Sequence, residues 1–254
     1  MLPYYLVFFT LIGLAFCEYF NFLGKKILPI AIVFLLLLLF TGLRGDVGTD
    51  TSNYFNTFNS LESYEKDIEI GFLYLNKVTK YFSLNFNFLL FISALIALYC
   101  YFYSIYKFLG LGTLILAFSI LFCDFYLYFN FSGIRQGIAL SIGLLAGYFA
   151  YRKQFLNFIL TVIMANLFHK SALVILLYWP LFNIDFSRYL NIYSFVFFIV
   201  LSVVWFNFSK DTLYNLSTTI DIKGAGMYLS ESYNMFSENA YVNGLLRRLY
   251  PLMY

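Results

Sequence analysis

Charged residues are scarce in this sequence. Only 11% of its 254 residues carry a charged side chain, whereas 62% are hydrophobic. A water-soluble domain is normally about one quarter charged and about half apolar. The shortage of charge therefore excludes a water-soluble domain and indicates that lipid surrounds most of the chain.

Two further features of the composition limit the classes of partner and cofactor. The 16 basic residues only slightly outnumber the 13 acidic ones, which argues against the basic surface of a nucleic-acid-binding protein. There are only three cysteines, and none has metal-ligand spacing. We therefore expect no nucleic-acid partner, and we predict that the protein works without a metal or other cofactor.

Long apolar runs, in contrast, recur along the chain. The first, Leu2 to Phe16, lacks a basic leader and a small-residue cleavage site, so it predicts a retained membrane helix. Further runs lie near 27–43, 87–106, 112–129, 133–151, 155–168, 171–182 and 190–206. Most approach the roughly 20 residues that span a bilayer core. We predict an all-α, polytopic transmembrane bundle of about eight membrane helices, forming a single integral membrane domain over 1–254.

The stretch 155–182 permits two interpretations. Two arms, 155–168 and 171–182, would rise only about 18–21 Å each at roughly 1.5 Å per residue, which is short for a bilayer. The competing interpretation is one long helix.

Two polar segments interrupt the apolar runs, and we predict both, 44–86 and 208–246, to be extracytoplasmic loops. Within the first, apolar residues recur at steps of three and four, which indicates an amphipathic helix. Its predicted apolar face comprises Ile68, Phe72, Leu75, Val78 and Phe82, and its polar face Glu69, Asn76 and Lys80. The chain ends as another apolar run begins, which suggests a truncated C-terminus.

Basic residues in the short connections orient the chain. Lys25, Lys26, Arg152 and Lys153 fall on one side, which the positive-inside rule assigns to the cytoplasm. Independently of orientation, counting crossings places the ends of runs 27–43 and 155–168 and the start of run 133–151 on one membrane face. We expect that face to be the outer one.

Most of the membrane-proximal polar residues collect at this shared face. A charge at the centre of a membrane helix costs roughly 2.5–3.5 kcal/mol, so such side chains usually face a cavity or a partner. The face therefore predicts a functional site. Its residues are Arg44, Asp46, Asp50, Asp124, Asn130, Arg135, Gln136, His169 and Lys170.

Arg135 lies near the start of the run 133–151. This run carries small residues on two faces, which favours close helix packing on both sides. Arg135 is either a structural charge, paired with Asp124 or with carbonyl oxygens, or a ligand for an anionic head group whose lipid tail lies below it.

His169 is the only histidine in the chain. Histidine titrates near neutral pH and so suits general-base catalysis, although a lone histidine near an interface is often a packing residue. Asp46 and Asp50 lie in a glycine-containing turn. They are candidates for a base or a divalent-cation ligand, or for a helix cap with Arg44 as ion-pair partner.

Four segments carry a resemblance to a known family. They are Gly42-Leu-Arg44-x-Asp46-Val-Gly48-Thr-Asp50-x-x-x-Tyr54, Glu69-x-Gly71-Phe72, Ile134-Arg135-Gln136-Gly-Ile-Ala139 and His169-Lys-Ser171-Ala172. In their order and spacing the sequence resembles the EpsG family of polytopic exopolysaccharide proteins, which is related in function to Wzy-type O-antigen polymerases. The similarity extends from Leu2 to about Phe206.

The resemblance implies a bacterial inner-membrane glycosyltransferase of inverting type. Such an enzyme would join polyprenyl-diphosphate-linked oligosaccharides into exopolysaccharide, O-antigen or capsule on the outer side of the membrane. It implies the lipid bilayer and other polysaccharide-assembly membrane proteins as partners, and it argues against a metal while leaving a divalent cation open.

The resemblance also distributes roles among the site residues. His169, Asp50 and Asp46 are the catalytic candidates, with His169 as the first choice for the base. Arg135, Arg44, Gln136 and Lys170 would bind the diphosphate, and Glu69 and Tyr54 the acceptor sugar. Among 33 Phe and 24 Tyr residues, Tyr54, Phe55 and Tyr74 are candidates for stacking on sugar rings.

Two other functions remain as alternatives. A transporter or flippase of lipid-linked glycans would need charges near the midplane and a path to both faces. A non-catalytic assembly component would use its polar loops to bind other membrane enzymes, and its Arg135→Ala variant would leave polymer length unchanged.

Overall fold

The computed structural model describes residues 2–22, 24, 26–65, 68–185, 197, 200 and 201, without the side chain of Asp124. The chain divides into two units, Met1–Ile184 and Asp185–Tyr254. The predicted run 190–206 falls mostly outside the described residues, and the predicted loop 208–246 falls wholly outside them. The helices named below and the candidate site belong to the first unit.

Every regular element among the described residues is helical, in agreement with the predicted all-α class. The α-helices are α1 (Leu2–Tyr19), α2 (Ile27–Gly42), α3 (Thr51–Asn59), α4 (Leu61–Tyr64), α5 (Ile70–Tyr81), α6 (Phe86–Leu109), α7 (Leu114–Leu121), α8 (Leu127–Phe131), α9 (Ile134–Tyr151), α10 (Phe155–Phe168) and α11 (Tyr178–Asn183). A π-helical turn, Phe122–Tyr126, joins α7 to α8, and a 3₁₀-helix, Lys170–Leu177, precedes α11.

Two of the described helices, α1 and α6, are long and apolar enough to cross a membrane. Helices α2 and α10 are apolar but shorter. The count of about eight membrane helices therefore remains a prediction.

Helix α9 lies at the centre of the unit and packs against α6 on one side and α10 on the other. Its small residues permit this close approach: Ala146 and Ala150 are fully buried, and a Cβ on Gly143 would lie 2.5 Å from Ile175 Cδ1 of the 3₁₀-helix. The predicted close packing on two faces is confirmed.

The stretch 155–182 forms two arms, which settles the choice between the two interpretations. Helix α10 ends at Phe168, and His169 takes an extended backbone, with φ −157° and ψ 125°. The eight residues of the 3₁₀-helix rise about 16 Å and the six of α11 about 9 Å. The second arm, 170–183, is therefore longer than an α-helix with the same number of residues. At its end, Asn183 Nδ2 donates to Ala150 O at 3.1 Å, at the far end of α9.

The polar segment after α2 forms three short helices, α3 to α5. The buried face of α5 overlaps the predicted apolar face in part, since Phe72 is buried and Ile68 and Leu75 pack against the core. Its buried residues include Phe72, Asn76 and Thr79, whereas Val78 and Phe82 are 50% and 64% exposed. The assignment of Asn76 to the polar outer face was wrong: the side chain is fully buried, where its amide donates to Phe72 O at 2.7 Å and its Oδ1 has no hydrogen-bond partner.

Candidate functional site

Glu69 joins Arg135 to His169. Its Oε2 accepts a hydrogen bond from Arg135 Nη1, and its Oε1 lies 3.2 Å from His169 Nδ1. Only 9% of the Glu69 side chain is exposed, against 30% for Arg135 and 21% for His169. Glu69 directly precedes α5, Arg135 lies in the first turn of α9 and His169 directly follows α10, so the structure brings three of the predicted site residues together.

A glycine allows this meeting. Glu69 directly precedes α5, and Gly71 in its first turn lies against the end of α10. A Cβ on Gly71 would come within 2.8 Å of Leu167 O and 3.0 Å of Leu167 C. Only a residue without a Cβ permits α5 to approach so closely, and Leu167 lies two residues before His169. The Glu69-x-Gly71 spacing therefore places the carboxylate beside the imidazole.

The carboxylate of Glu69 is ionised. Burial raises its pKa, but the hydrogen bond to His169 and the charge of Arg135 outweigh burial and lower the pKa to about 2. An ionised carboxylate only accepts hydrogen bonds, so His169 Nδ1 donates to it. In the neutral imidazole the lone pair then lies on Nε2, which is 3.3 Å from Gln136 Nε2.

Arg135 contacts both Glu69 and Tyr54. Its guanidinium carbon lies 5.7 Å from the centre of the Tyr54 ring. Its Nε is buried without a hydrogen-bond partner, so the guanidinium keeps unused donor capacity. Of the two partners predicted for a structural Arg135, Asp124 has no described side chain, and the carboxylate that the structure assigns to Arg135 is that of Glu69.

Tyr54 offers no open ring face to a sugar. The residue is 7% exposed, and its ring packs against Phe72 with centroids 5.5 Å apart. Phe55, the next residue of α3, is 45% exposed and is the better candidate for stacking.

Three pockets surround this region. The Tyr54 pocket, about 240 Å³, is lined by Asp50, Asn53, Tyr54, Thr57, Tyr64, Ile68, Phe72 and Arg135. The His169 pocket, about 350 Å³ and mostly apolar, is lined by Phe129, Gln136, Ala139, Leu140, His169, Ser171, Ala172, Val174, Ile175 and Tyr178. The Asp46 pocket, about 590 Å³, is lined by Asp46, Gly48, Ser52, Phe55, Asn85, Phe86 and Asn87.

The two predicted acids of the glycine-containing turn line different pockets. Asp50 lines the Tyr54 pocket together with Arg135, whereas Asp46 lines the Asp46 pocket. Asp50 occupies the N-cap position of α3, but its side chain makes no cap hydrogen bond. The side chain is exposed and does not cap the helix.

Arg44 is used within the fold. Its Nη1 donates to Asn130 O at 2.7 Å, its Nε donates to Val47 O at 3.2 Å, and its guanidinium lies 5.1 Å from the centre of the Phe131 ring. Arg44 lines none of the three pockets. In place of its predicted ion pair with the acids it binds carbonyl oxygens, and it ties the end of α2 to the end of α8.

Gly48 brings the same turn against α8. Its φ of +120° is unfavourable for other residues, and a Cβ there would lie 2.0 Å from Phe131 O. Thr49 N also donates to Ser132 Oγ at 3.3 Å. This close contact supports the segment from which Asp46 and Asp50 project.

Two further predicted residues, Gln136 and Lys170, neighbour His169. Gln136 contacts the imidazole, and Lys170 is exposed at the start of the 3₁₀-helix. Over the described residues, no group of three or more His, Cys, Asp and Glu side chains has the arrangement of a metal site. The absence of a metal from the working protein stays a prediction.

Sequence reasoning missed two polar residues of the Tyr54 pocket. Asn53 and Thr57 are four residues apart, on the same face of α3 as Tyr54, and both line the pocket beside Asp50. The four-residue spacing was readable, but a short polar helix has no apolar pattern that would show which face meets the bundle.

The sequence was also compared with those of known families. The model of the EpsG family matches residues 27–250. The match covers most of the chain, so the chain belongs to the EpsG family, and the resemblance seen in the four segments is confirmed. No significant match was found among curated proteins or among solved structures. Membership indicates a membrane protein of the polysaccharide-polymerase type.

Proposed function

From membership of the EpsG family, we propose that this protein is an inner-membrane glycosyltransferase that joins polyprenyl-diphosphate-linked oligosaccharide units on the outer face of the membrane. The observation that carries the proposal is the ionised Glu69 carboxylate between Arg135 and His169. Arg135 supplies a cation at the Tyr54 pocket, and His169 supplies a candidate base at the mostly apolar His169 pocket. This pair suits a substrate that has a charged head and a lipid tail.

The reaction is proposed as a direct displacement. A hydroxyl oxygen of the acceptor sugar attacks the anomeric carbon of the donor, and the bond from that carbon to the diphosphate oxygen breaks. The hydroxyl proton passes to His169 Nε2, and the lipid diphosphate leaves with the bonding electron pair. A single displacement inverts the anomeric configuration.

Arg135 is proposed to hold the donor diphosphate. Its side chain is 30% exposed and lines the Tyr54 pocket, where it can meet a phosphate while still bound to Glu69. A fixed guanidinium stabilises the negative charge that develops on the leaving diphosphate. Asp50, exposed in the same pocket, is the second candidate for the base, and Lys170 is an exposed cation next to His169 in sequence.

Glu69 is proposed as a positioning residue. Both of its oxygens contact protein groups, which leaves it poorly suited to the predicted role of binding the acceptor sugar. A carboxylate on Nδ1 holds the imidazole in the tautomer whose Nε2 accepts a proton, and it stabilises the imidazolium that forms.

The test is extension of a lipid-linked repeat unit by purified protein in lipid nanodiscs, without added metal. We expect His169→Ala and Arg135→Ala each to lower turnover by about 100-fold or more, since each removes a group that acts in the transition state. Arg152→Ala is the matched control, because Arg152 is exposed at the opposite end of α9. Wild-type turnover in both site variants would refute the mechanism and favour a non-catalytic role.

The role of Glu69 has its own readout. Glu69→Gln keeps the side-chain volume but replaces the carboxylate that accepts from His169 Nδ1 with an amide, so we expect kcat to fall with little change in KM. An unchanged kcat would mean that Glu69 does not position the base.

A further inference from the structure

Helix α3 separates two pockets. Asn53, Tyr54 and Thr57 line the Tyr54 pocket, and Ser52 and Phe55 line the Asp46 pocket. At about 100° per residue, these two sets lie on opposite faces of one helix. The short helix is therefore a wall between the site of Arg135 and a second, larger pocket for which the proposed reaction has no use.

We propose that the Asp46 pocket is a carbohydrate subsite that holds sugars of the glycan remote from the reacting bond. This inference rests on the proposed function in one respect, namely that the glycan it binds belongs to the substrate. Its volume of about 590 Å³ falls within the usual range for small-molecule sites, roughly 300–1,000 Å³, whereas the Tyr54 pocket at about 240 Å³ is smaller than that range.

The lining has the groups that a neutral sugar needs. Phe55 supplies a half-exposed aromatic ring, held by an edge contact with Phe86 whose centroids lie 5.4 Å apart. Exposed Asp46, Ser52 and Asn87 supply a carboxylate, a hydroxyl and an amide for sugar hydroxyls.

Asn85 adds donors from the other wall of the pocket. Its Oδ1 accepts from Phe88 N at 3.0 Å as the cap of α6, which fixes the side chain and leaves its NH₂ group available. The pocket thus presents polar groups from both the α3 side and the α6 side around one aromatic ring.

The same lining disfavours the charged and lipid parts of the substrate. No basic residue lines the Asp46 pocket, so a diphosphate there would meet only the negative charge of Asp46. Four of its seven lining residues carry polar side chains, and an isoprenoid would take those groups out of water without giving them hydrogen bonds. Sugar is the one component of a lipid-linked oligosaccharide that suits this chemistry.

The direct test is binding without catalysis. Oligosaccharide released by mild acid from the lipid-linked pool of the source cells is titrated onto the full-length protein in nanodiscs, and binding is followed by saturation-transfer NMR. We expect Phe55→Ala and Asp46→Asn each to weaken binding by about tenfold. Phe82→Ala and Glu62→Gln are matched controls at exposed positions that line none of the three pockets, and they should bind as the wild type does.

Equal binding by wild type, Phe55→Ala and Asp46→Asn, or no binding by the wild type, would overturn the subsite. Failure of the proposed function is distinguishable, because it appears as absence of polymer in the extension assay, whatever the titration shows. If both hold, Phe55→Ala should also yield shorter polymer than the wild type in the extension assay.

Discussion

At the scale of single residues, the site depends on one carboxylate with two partners. A buried acid is costly unless its charge is compensated, and Glu69 is compensated by Arg135 on one oxygen and by His169 on the other. Removing any one of the three leaves the others incompletely paired. The cluster is therefore expected to respond as a unit in both stability and activity.

The lowered pKa of Glu69 predicts a pH-dependent contribution to stability. A carboxyl whose folded pKa is about 2, against an ordinary 4.5, stabilises the fold fully above about pH 4.5 and loses that contribution as the pH falls towards 2. The shift corresponds to a contribution by Glu69 of the order of 3 kcal/mol to the free energy of unfolding. Glu69→Gln should therefore lower Tm at pH 7, and its deficit relative to wild type should shrink between pH 4.5 and 2.

The measurement is thermal unfolding of the detergent-solubilised protein at a series of pH values. Glu62→Gln, at an exposed position on α4, is the control and should follow the wild type at every pH. A deficit of the same size at pH 3 and pH 7 would contradict the assignment.

Residue identities were partly readable from the sequence, but partners were not. His169, Arg135, Gln136 and Glu69 were all selected as candidates, and the structure brings them together. Arg44 was selected on equal grounds, yet its guanidinium binds carbonyl oxygens within the fold. A charge near a membrane face indicates that a partner exists, and only the packing shows whether that partner is protein or ligand.

At the scale of elements, the contact between α5 and α10 decides whether the site assembles. Phe72, Ile68 and Leu75 face the core as predicted, but Val78 and Phe82 are exposed, and the position of α5 depends on the close approach of Gly71 to Leu167. Hydrophobic periodicity does not encode such a steric contact, so it predicted only part of the buried face of α5.

Gly71→Ala tests this contact. The added methyl would lie 2.8 Å from a backbone oxygen, so α5 must shift and Glu69 must withdraw from His169. We expect turnover to fall by about tenfold or more, with a lower Tm. Gly13→Ala is the control: Gly13 lies within α1 with open space around a Cβ, and alanine is the better helix former there. Unchanged turnover in Gly71→Ala would show that the contact does not position the site.

The arm after His169 is a second element whose reach depends on its helix type. A 3₁₀-helix rises more per residue than an α-helix, so the arm from Lys170 to Asn183 reaches the far end of α9 with few residues. The sequence showed that the arms were short, but it did not show that the second arm begins with a 3₁₀-helix, from which Ile175 packs against Gly143 of α9.

At the scale of the whole molecule, the ends of the helices define two faces. Glu18 at the end of α1 is 2% exposed and accepts from the backbone N–H groups of Ile115 and Leu116 at the start of α7. The ends of α9 and α11 meet through Asn183 and Ala150. The site lies at the opposite end of α9, because Arg135 is in its first turn.

Orientation in the membrane is testable by cysteine labelling. In a cysteine-free background, Ser63→Cys on α4 should react with a membrane-impermeant maleimide in intact cells, whereas Gln154→Cys between α9 and α10 should react only after permeabilisation. Both positions are exposed, so access differs only by membrane side. The reverse pattern would place the site on the cytoplasmic face.

The sequence by itself determined the membrane environment, the all-helical class of the described residues, and the family. These follow from the composition, from the apolar runs, and from the order of four motif segments along the chain. The tertiary structure alone decided that Glu69 lies between Arg135 and His169, that Arg44 is used within the fold, and that α3 divides two pockets. Those contacts join residues as many as 100 positions apart, and they depend on backbone approaches that local periodicity does not encode.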